Sequence, residues 1–457
     1  MKRTNILEEL ARLRNELEQE KRLRRQWQER CLQLEKELKE TKKLLQQFLN
    51  ANTPPSRLPP QFKTSPNERP EKGSVPRGKP EGSNGATREY PEEFDRKIKV
   101  KITNQCQKCG RRIHKQIIYR PVYDIIFQKF ITEFVVEEGV CDCGEYYVGT
   151  HPELPERGIF GYNLQAFITE LKHQFAGSYE RTSIFLASLF GICFTQTAMN
   201  DCMTRVAEQL EPSYNNLEER LPKTKQFNSD ETAWPVNGIL WFLWLFVTTD
   251  FIFIRITNSR SRRVLTDLFG EDYKGICISD CFKAYRYFAK RFQKDWIHLL
   301  RKTYFEKEKN PRADVCELYE QLSNLYQAMK EFLARDPSIE VRKKEYRKFD
   351  KQLRGLKNYR WKSKSAQDIV KNWLEEYDGH WLTAILIPGV TLDNNVAERG
   401  IRKVIPWRKL LGGHRTWEGT KNFAIIETHR QTWQMNGKSS YGALVDHLRE
   451  RRKEIVI

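Results

Sequence analysis

No run in this chain reaches the ~20 consecutive apolar residues needed to span a bilayer. The longest, Ile239 to Val247 ("ILWFLWLFV"), is ended by Thr248, Thr249 and Asp250. The N-terminus lacks the apolar core of a signal peptide and is charged from Lys2 onward. These absences set aside a membrane protein and a secreted one, and a cytosolic protein is expected. Acidic residues are in the minority: 60 Asp and Glu face 79 Lys and Arg, a formal net charge of +19 over 457 residues. An anionic partner follows, and nucleic acid is the commonest one for a soluble basic protein. Ten cysteines in a reducing compartment are expected as thiols or metal ligands, not as a disulfide framework. No internal repeat is present.

Neither Gly nor Pro occurs between residues 5 and 50. Steps of four and three from Ile6 through Leu10, Leu13 and Leu17 to Phe48 meet ten apolar residues in thirteen positions. That seam predicts a coiled coil over 1–50 and self-association, most simply a dimer through 5–50. A single amphipathic helix is the alternative, and the polar breaks at Glu20 and Arg24 keep it open. Residues 51–92 then hold nine of the nineteen prolines. Such a stretch cannot bury a core, so 51–95 reads as an extended basic linker.

Short β-rich runs follow over 96–150, helices over 151–222 and strands over 223–300. A charged helical block spans 301–383, a mixed region 384–435 and a tail 436–457. The expected class is multidomain α/β.

Cys106-x-x-Cys109 and Cys141-x-Cys143 are separated by thirty-one residues. Two close thiol pairs brought together by a hairpin make a tetrahedral soft-ligand site that suits structural Zn²⁺. Gly110 and Gly144 follow the second Cys of each pair, where a tight knuckle needs a permissive backbone. Buried thiols are the other reading, and His114 is a possible substitute ligand. In "ERTSIFLASLFGICFTQTAMNDCMTRVAEQL", Ala187, Gly191 and a second helix from near Thr195 are compatible with a helix-turn-helix. An ordinary helical hairpin fits equally. Phe185, Leu186, Leu189 and Phe190 are expected in the core either way.

The acids say more. Asp230, in "FNSDETAW", is expected where a strand gives way to a turn. Asp280, in "GICISDCFKAY", is expected at the C-terminal end of the strand Ile276 to Ile278. Carboxylates at adjacent strand ends can converge on one hard cation, and a third from a helix, Glu398, would complete a cage for two Mg²⁺ ions. Turn formation and N-capping remain ordinary uses for either Asp. Glu398 in "DNNVAERGIRKV" could instead close a capping box with Asn395 or pair with Arg402. Glu231 is a rival ligand. Between Arg342 and Lys364, eleven basic residues outnumber two acids, which favours phosphate contact. Tyr346, Phe349, Tyr359 and Trp361 in that block suit base stacking or, more often, core packing. His298 could touch a scissile phosphate or serve as a satisfied structural histidine.

"SDETAW", the Trp-rich strands after it, "SDCFKAY", "WIHLLR", "DNNVAERGIRKV", "RKLLGG" and "GKSSYGALVDHL" resemble, in order and spacing, the transposases of the insertion sequence 66 family. The coiled coil, the Pro-rich linker, the cysteine segment and "GYNLQAFITELKHQFAGSYERTSIF" fit as well, so the resemblance covers nearly the whole chain. It implies a ribonuclease-H-like core with a mixed sheet, an Asp-Asp-Glu triad and a helical insertion before the Glu. By motif the triad falls on Asp230, Asp280 and Glu398, with Asp230 preferred to Glu231. Gly400 and Ile401 depart from the family's usual Ala-Leu, and C-x-C is a second departure.

The expectation is therefore a DNA transposase using two Mg²⁺ (or Mn²⁺) ions, cutting a strand to give a 3′-hydroxyl and joining it to target DNA. Arg399, Arg402, Lys403, Arg408 and Lys409, with His298 and Arg301, are expected along the DNA backbone. The zinc segment and helical segment would recognise the element's ends. Accessory proteins of the same element and a nucleoid-associated place in a prokaryotic cytoplasm are also implied. Two other functions fit part of the pattern: a non-catalytic DNA-binding regulator derived from a transposase, and a ribonuclease-H-like nuclease without strand transfer.

Overall fold

The computed structural model describes residues 128–456 apart from 286, 287, 290, 312 and 377, with backbone alone for 453–456. Before them it describes 17–19, 21, 26, 30, 33, 93, 95–102, 104, 105, 107–112, 114, 116, 117 and 122. Two compact units divide the chain, residues 1–124 and 125–457. In the first, the described residues from Leu17 to Gln33 are helical, and an antiparallel bridge pairs Gln105 with Arg112. The rest of the expected coiled coil, most of the linker and Cys106 lie outside the described residues.

The second unit opens with a hairpin, β1 (Glu138–Val140) against β2 (Tyr146–Val148). The stretch 128–137, read from the sequence as β-rich, forms no strand among the described residues. Several of its apolar side chains lie open to solvent: Phe130 is 88% exposed and Val135 92%. Strands without a buried face gain too little to pair.

A helical layer follows: α1 (Tyr162–His173), α2 (Tyr179–Phe190) and α3 (Gln196–Arg220). Gly191 ends α2 in the left-handed region at φ 61°, and Thr195 caps α3 by accepting from the Ala198 N–H at 3.1 Å. Leu186 is fully buried, but Phe185 and Leu189 are exposed, contrary to the core expectation. They lie four apart on the outward stripe of α2, while Thr182 and Leu186, also four apart, face inward.

The sheet is built from β3 (Gln226–Val236), β4 (Ile239–Val247), β5 (Ile252–Thr257), β6 (Ile276–Ser279) and β7 (Arg291–Lys294). The helix α4 (Arg263–Phe269) joins β5 to β6. Strand order is β5-β4-β3-β6-β7; the first three are antiparallel, and β3, β6 and β7 run parallel. Both faces are covered, which the continuous apolar run of β4 requires. Trp244 and Phe246 face a core shared with α3 and α4. Leu243, Leu245 and Val247 face the opposite one.

After β7 come α5 (Trp296–Lys309), α6 (Val315–Leu333), α7 (Ile339–Asn358), α8 (Lys364–Ile369) with a π-helical turn to Glu375, and α9 (Thr383–Leu386). They enclose a core of their own, in which Leu322 and Met329 meet Phe349, Leu353 and Trp381. Phe349 and Trp361 belong to that core, while Tyr359 is exposed. Arg342, counted above with the basic surface, is buried and donates to the carbonyls of Pro337 and Ala384. The chain ends in α10 (Asn395–Leu411), α11 (Trp417–Met435) and α12 (Ser440–Val456). Among the described residues, no helix is long and apolar enough to cross a membrane.

Candidate active site

The middle strand places the first acid. Asp230 does not end β3; it pairs with Leu245 of β4, and the strand runs on to a hairpin turn at Asn237 and Gly238. The polar run "SDET" looked like a turn, but nine residues of β4 pair it through to Val236. What does stop here is the parallel ladder, whose last pair is Asn228 with Ile278. Asp230 and Asp280 each lie two residues beyond that pair, where the two strands part. Asp280 follows β6 directly, and its Oδ1 accepts from the Phe282 N–H at 2.9 Å.

Alternation along β3 separates the two neighbouring acids. Asp230 lies opposite Leu245, on the sheet face covered by α10. Glu231 lies opposite Trp244, on the other face. There Arg260 donates to its Oε1 at 3.0 and 2.6 Å and the Tyr285 hydroxyl to its Oε2 at 2.7 Å. The Arg260 guanidinium also covers the Phe282 ring at 3.9 Å. Glu231 is thus fully engaged by protein groups.

The helix α10 delivers the third acid. Asn394, 1% exposed, donates to the Ser229 carbonyl at 2.7 Å and accepts from Asn228 Nδ2 at 3.1 Å. It pins the helix start to β3 beside Asp230. A Cβ at Gly400 would stand 2.8 Å from Leu245 Cδ1, so glycine there lets α10 lie close to the sheet. The capping box does not form. The N-cap position falls on Asn394, and Asp393 Oδ1 accepts from the Asn395 N–H at 3.2 Å. Glu398 is left to turn elsewhere: Oε2 takes Arg402 at 2.7 Å, and Oε1 is buried without a hydrogen-bond partner among the described residues.

A histidine and a fourth acid complete the surroundings. Asp295 caps α5, its Oδ1 accepting from the Ile297 N–H, and its Oδ2 lies 2.6 Å from His298 Nδ1. His298 Nδ1 lies 3.7 Å from Glu398 Oε1. One ligand atom from each of Asp295, His298 and Glu398 lies within 4.8 Å of the others. That hydrogen bond raises the histidine above its ordinary value against the effect of burial, and the charges of Asp295, Asp280 and Glu398 add to it. Asp230 is pushed up to about 7, by burial first and then by the carboxylates of Glu231, Asp280 and Glu398. Lys294, fully buried, donates to the Asp280 carbonyl at 2.9 Å and fixes the loop from behind.

Asp295 and Lys294 escaped the sequence reading. The first had a visible signal, an Asp immediately before an apolar helical stretch, as an N-cap has. A lysine buried at a strand end has none.

Neighbouring carboxylates, one of them raised by burial first and then by the others, and an oxygen of Glu398 with no donor among the described residues, make a donor set that suits a hard divalent cation. The basic residues of α10 divide. Arg399, Lys409 and the ion-paired Arg402 are exposed; exposed Lys403 donates to Gln434 Oε1 at 3.0 Å. Arg408 spends its guanidinium on Thr232 Oγ1 and the Ala233 carbonyl, at 2.7 and 2.6 Å. Arg301 is exposed on α5. Cys141 and Cys143 are exposed in the β1–β2 turn and Cys109 in the first unit. Gly110 and Gly144 have φ 71° and 89°, as tight knuckles need.

A mixed α/β fold, an acidic centre suited to a divalent cation and a strongly basic chain together define a nucleic-acid-processing protein. The family model described as "Transposase IS66 family" matches residues 157–422, more than half of the chain. The chain belongs to that family, and as a transposase it is a DNA-processing enzyme. No curated protein matches it.

Proposed function

We propose that the chain cuts and joins the ends of its own insertion sequence at a ribonuclease-H-like centre formed by Asp230, Asp280 and Glu398. The observation that carries this reading is positional: Asp230 and Asp280 each stand two residues past the last parallel pair of β3 and β6, and Asn394 pins the start of the Glu398 helix to β3 beside them. Bound there, two Mg²⁺ or Mn²⁺ ions would neutralise charge building on the attacking and leaving oxygens at phosphorus. The chain's own residues set the geometry. Asn394 holds Glu398 at its depth on β3, Lys294 holds the Asp280 loop, and Arg260 keeps Glu231 on the opposite face. Arg399, Arg402, Lys403 and Lys409, with Arg301, hold the DNA backbone beside the centre; Arg408 braces α10 for them. Water attacks the scissile phosphorus and frees the element strand's 3′-hydroxyl; that hydroxyl then attacks a target phosphorus, forming a new phosphodiester bond as the target strand's 3′-oxygen leaves.

Cys106 with Cys109, and Cys141 with Cys143, are proposed as ligands of structural Zn²⁺. That segment and the α2–α3 pair read the element's ends, and residues 5–50 pair two copies. The two shaped knuckles support the zinc assignment. A purified chain without zinc, together with a normally folding Cys141→Ser variant, would overturn it.

The triad is tested with DNA carrying the element's ends and Mg²⁺, comparing wild type with Asp280→Ala at matched folding. Loss of several kcal/mol of charge stabilisation should slow cleavage by ~10²- to 10⁴-fold. Equal cleavage by both proteins sinks the assignment. Cleavage without any strand transfer by the wild type would favour the nuclease reading instead.

A further inference from the structure

Away from the acidic centre, the loop before α1 and the helices α1, α3 and α12 enclose a cavity of ≈ 180 Å³. Two of its wall residues are buried polar side chains with an unanswered atom. Tyr162 is 3% exposed and its hydroxyl has no hydrogen-bond partner among the described residues. Gln165 is 2% exposed; its Nε2 donates to the Phe160 carbonyl at 2.7 Å, and its Oε1 has no partner. A third unanswered atom is the buried Nε of Arg205, in the same wall. Burying a polar atom without a partner costs about 1–3 kcal/mol. Three around one small cavity are explained most simply by an occupant.

Charge gives the class of that occupant. Arg451 and Arg452 join Arg205 in the wall, and Arg452 anchors its own Nε on the Leu154 carbonyl at 3.1 Å. Of the acids present, Glu208 is taken by Arg157 at 2.9 Å. Four arginines against two glutamates leave the lining positive. The backbone is shaped for it too. Gly158, at φ 81°, lies so close that a Cβ there would stand 2.9 Å from Arg205 Nη2. Glycine at that position lets the guanidinium lie flat against the loop. Guanidinium and hydroxyl donors facing one small cavity match a tetrahedral oxyanion.

We propose that this cavity is a phosphate-binding site, with Tyr162 and Arg205 as its principal donors and the Gln165 Oε1 accepting from a protonated phosphate oxygen or a retained water. It is separate from the acidic centre and does not rest on the metal chemistry. The phosphate has two sources, inorganic phosphate and the terminal phosphate of a DNA strand.

Thermal melting of the full chain tests it, with inorganic phosphate compared with chloride at matched ionic strength. Wild type should show a saturable, phosphate-specific rise in Tm. Tyr162→Phe removes one oxygen and keeps the ring. It should melt no lower than wild type without phosphate, yet need at least ten-fold more phosphate for the same rise. Arg205→Gln should need more still. A 5′-phosphorylated oligonucleotide that outcompetes its 5′-hydroxyl twin in the wild type, but not in Tyr162→Phe, assigns the site to DNA; equal competition assigns it to free phosphate. No phosphate-specific rise, or a rise unchanged in both variants, overturns the proposal.

Discussion

Asp230 carries a cost that its site explains. A carboxyl raised from 3.8 to about 7 binds a proton more tightly in the folded state than in the unfolded one. At and above pH 7 that group lowers stability, and the deficit fades as pH falls from 7 toward 4. Asp230→Asn removes the charge and keeps the shape. In chelator-treated protein at pH 7.5 it should raise the unfolding free energy by on the order of 2 kcal/mol, read as a higher Tm. Mg²⁺ should then stabilise wild type more than the variant, while DNA cleavage by the variant is lost. A variant that melts below wild type without metal would show that Asp230 is stabilising, and that the carboxylates are not crowded. The residue choice was half legible: "SDETAW" offers two adjacent acids, and only strand alternation tells which one faces α10. That alternation depends on a register fixed by β4, a contact made across a hairpin turn.

At the scale of elements, the sequence spoke clearly where a pattern was long. The nine apolar residues of β4, the helices around Leu186 and Val206, and the break at Gly191 follow from periodicity and backbone preference alone. It spoke poorly where a neighbour decides. Arg342 looked like phosphate-binding surface, yet it ties α7 to α9 through backbone carbonyls. The edge of the sheet is a similar case. On β5 the outward N–H groups of Ile252 and Ile254 would be open to another strand. They donate instead to Thr432 Oγ1 at 3.0 Å and Thr428 Oγ1 at 2.9 Å on α11. Two threonines four apart thus give a helix the acceptors of a sixth strand. Thr428→Val keeps the volume and leaves a buried N–H unanswered, which should cost about 1–3 kcal/mol. Denaturant unfolding measures this directly; an unchanged midpoint would mean that α11 does not seal the edge.

At the scale of the whole molecule, a buried ionic network fastens α1 of the helical layer to α11. Glu427 of α11 accepts from Arg430 at 2.6 Å and lies 3.0 Å from His173 Nδ1 of α1. Arg430 also grips Glu170 of α1 at 3.1 and 2.8 Å. Burial raises the Glu427 carboxyl, but Arg430 and His173 outweigh it and hold it down to about 2. Burial lowers His173, against the pull of Glu427. The Glu427 contribution is fully present above the unfolded-state value and is lost as pH falls toward 2, amounting to on the order of 3 kcal/mol. The lowered histidine acts in the same direction, since the unfolded chain takes up its proton first. Melting wild type and Glu427→Gln in parallel isolates the carboxylate. The gap in Tm should be widest above pH 5, narrow steadily below it and close near pH 2. A gap independent of pH would assign the loss to packing, and the joint between α1 and α11 would then owe its strength to shape and not to charge.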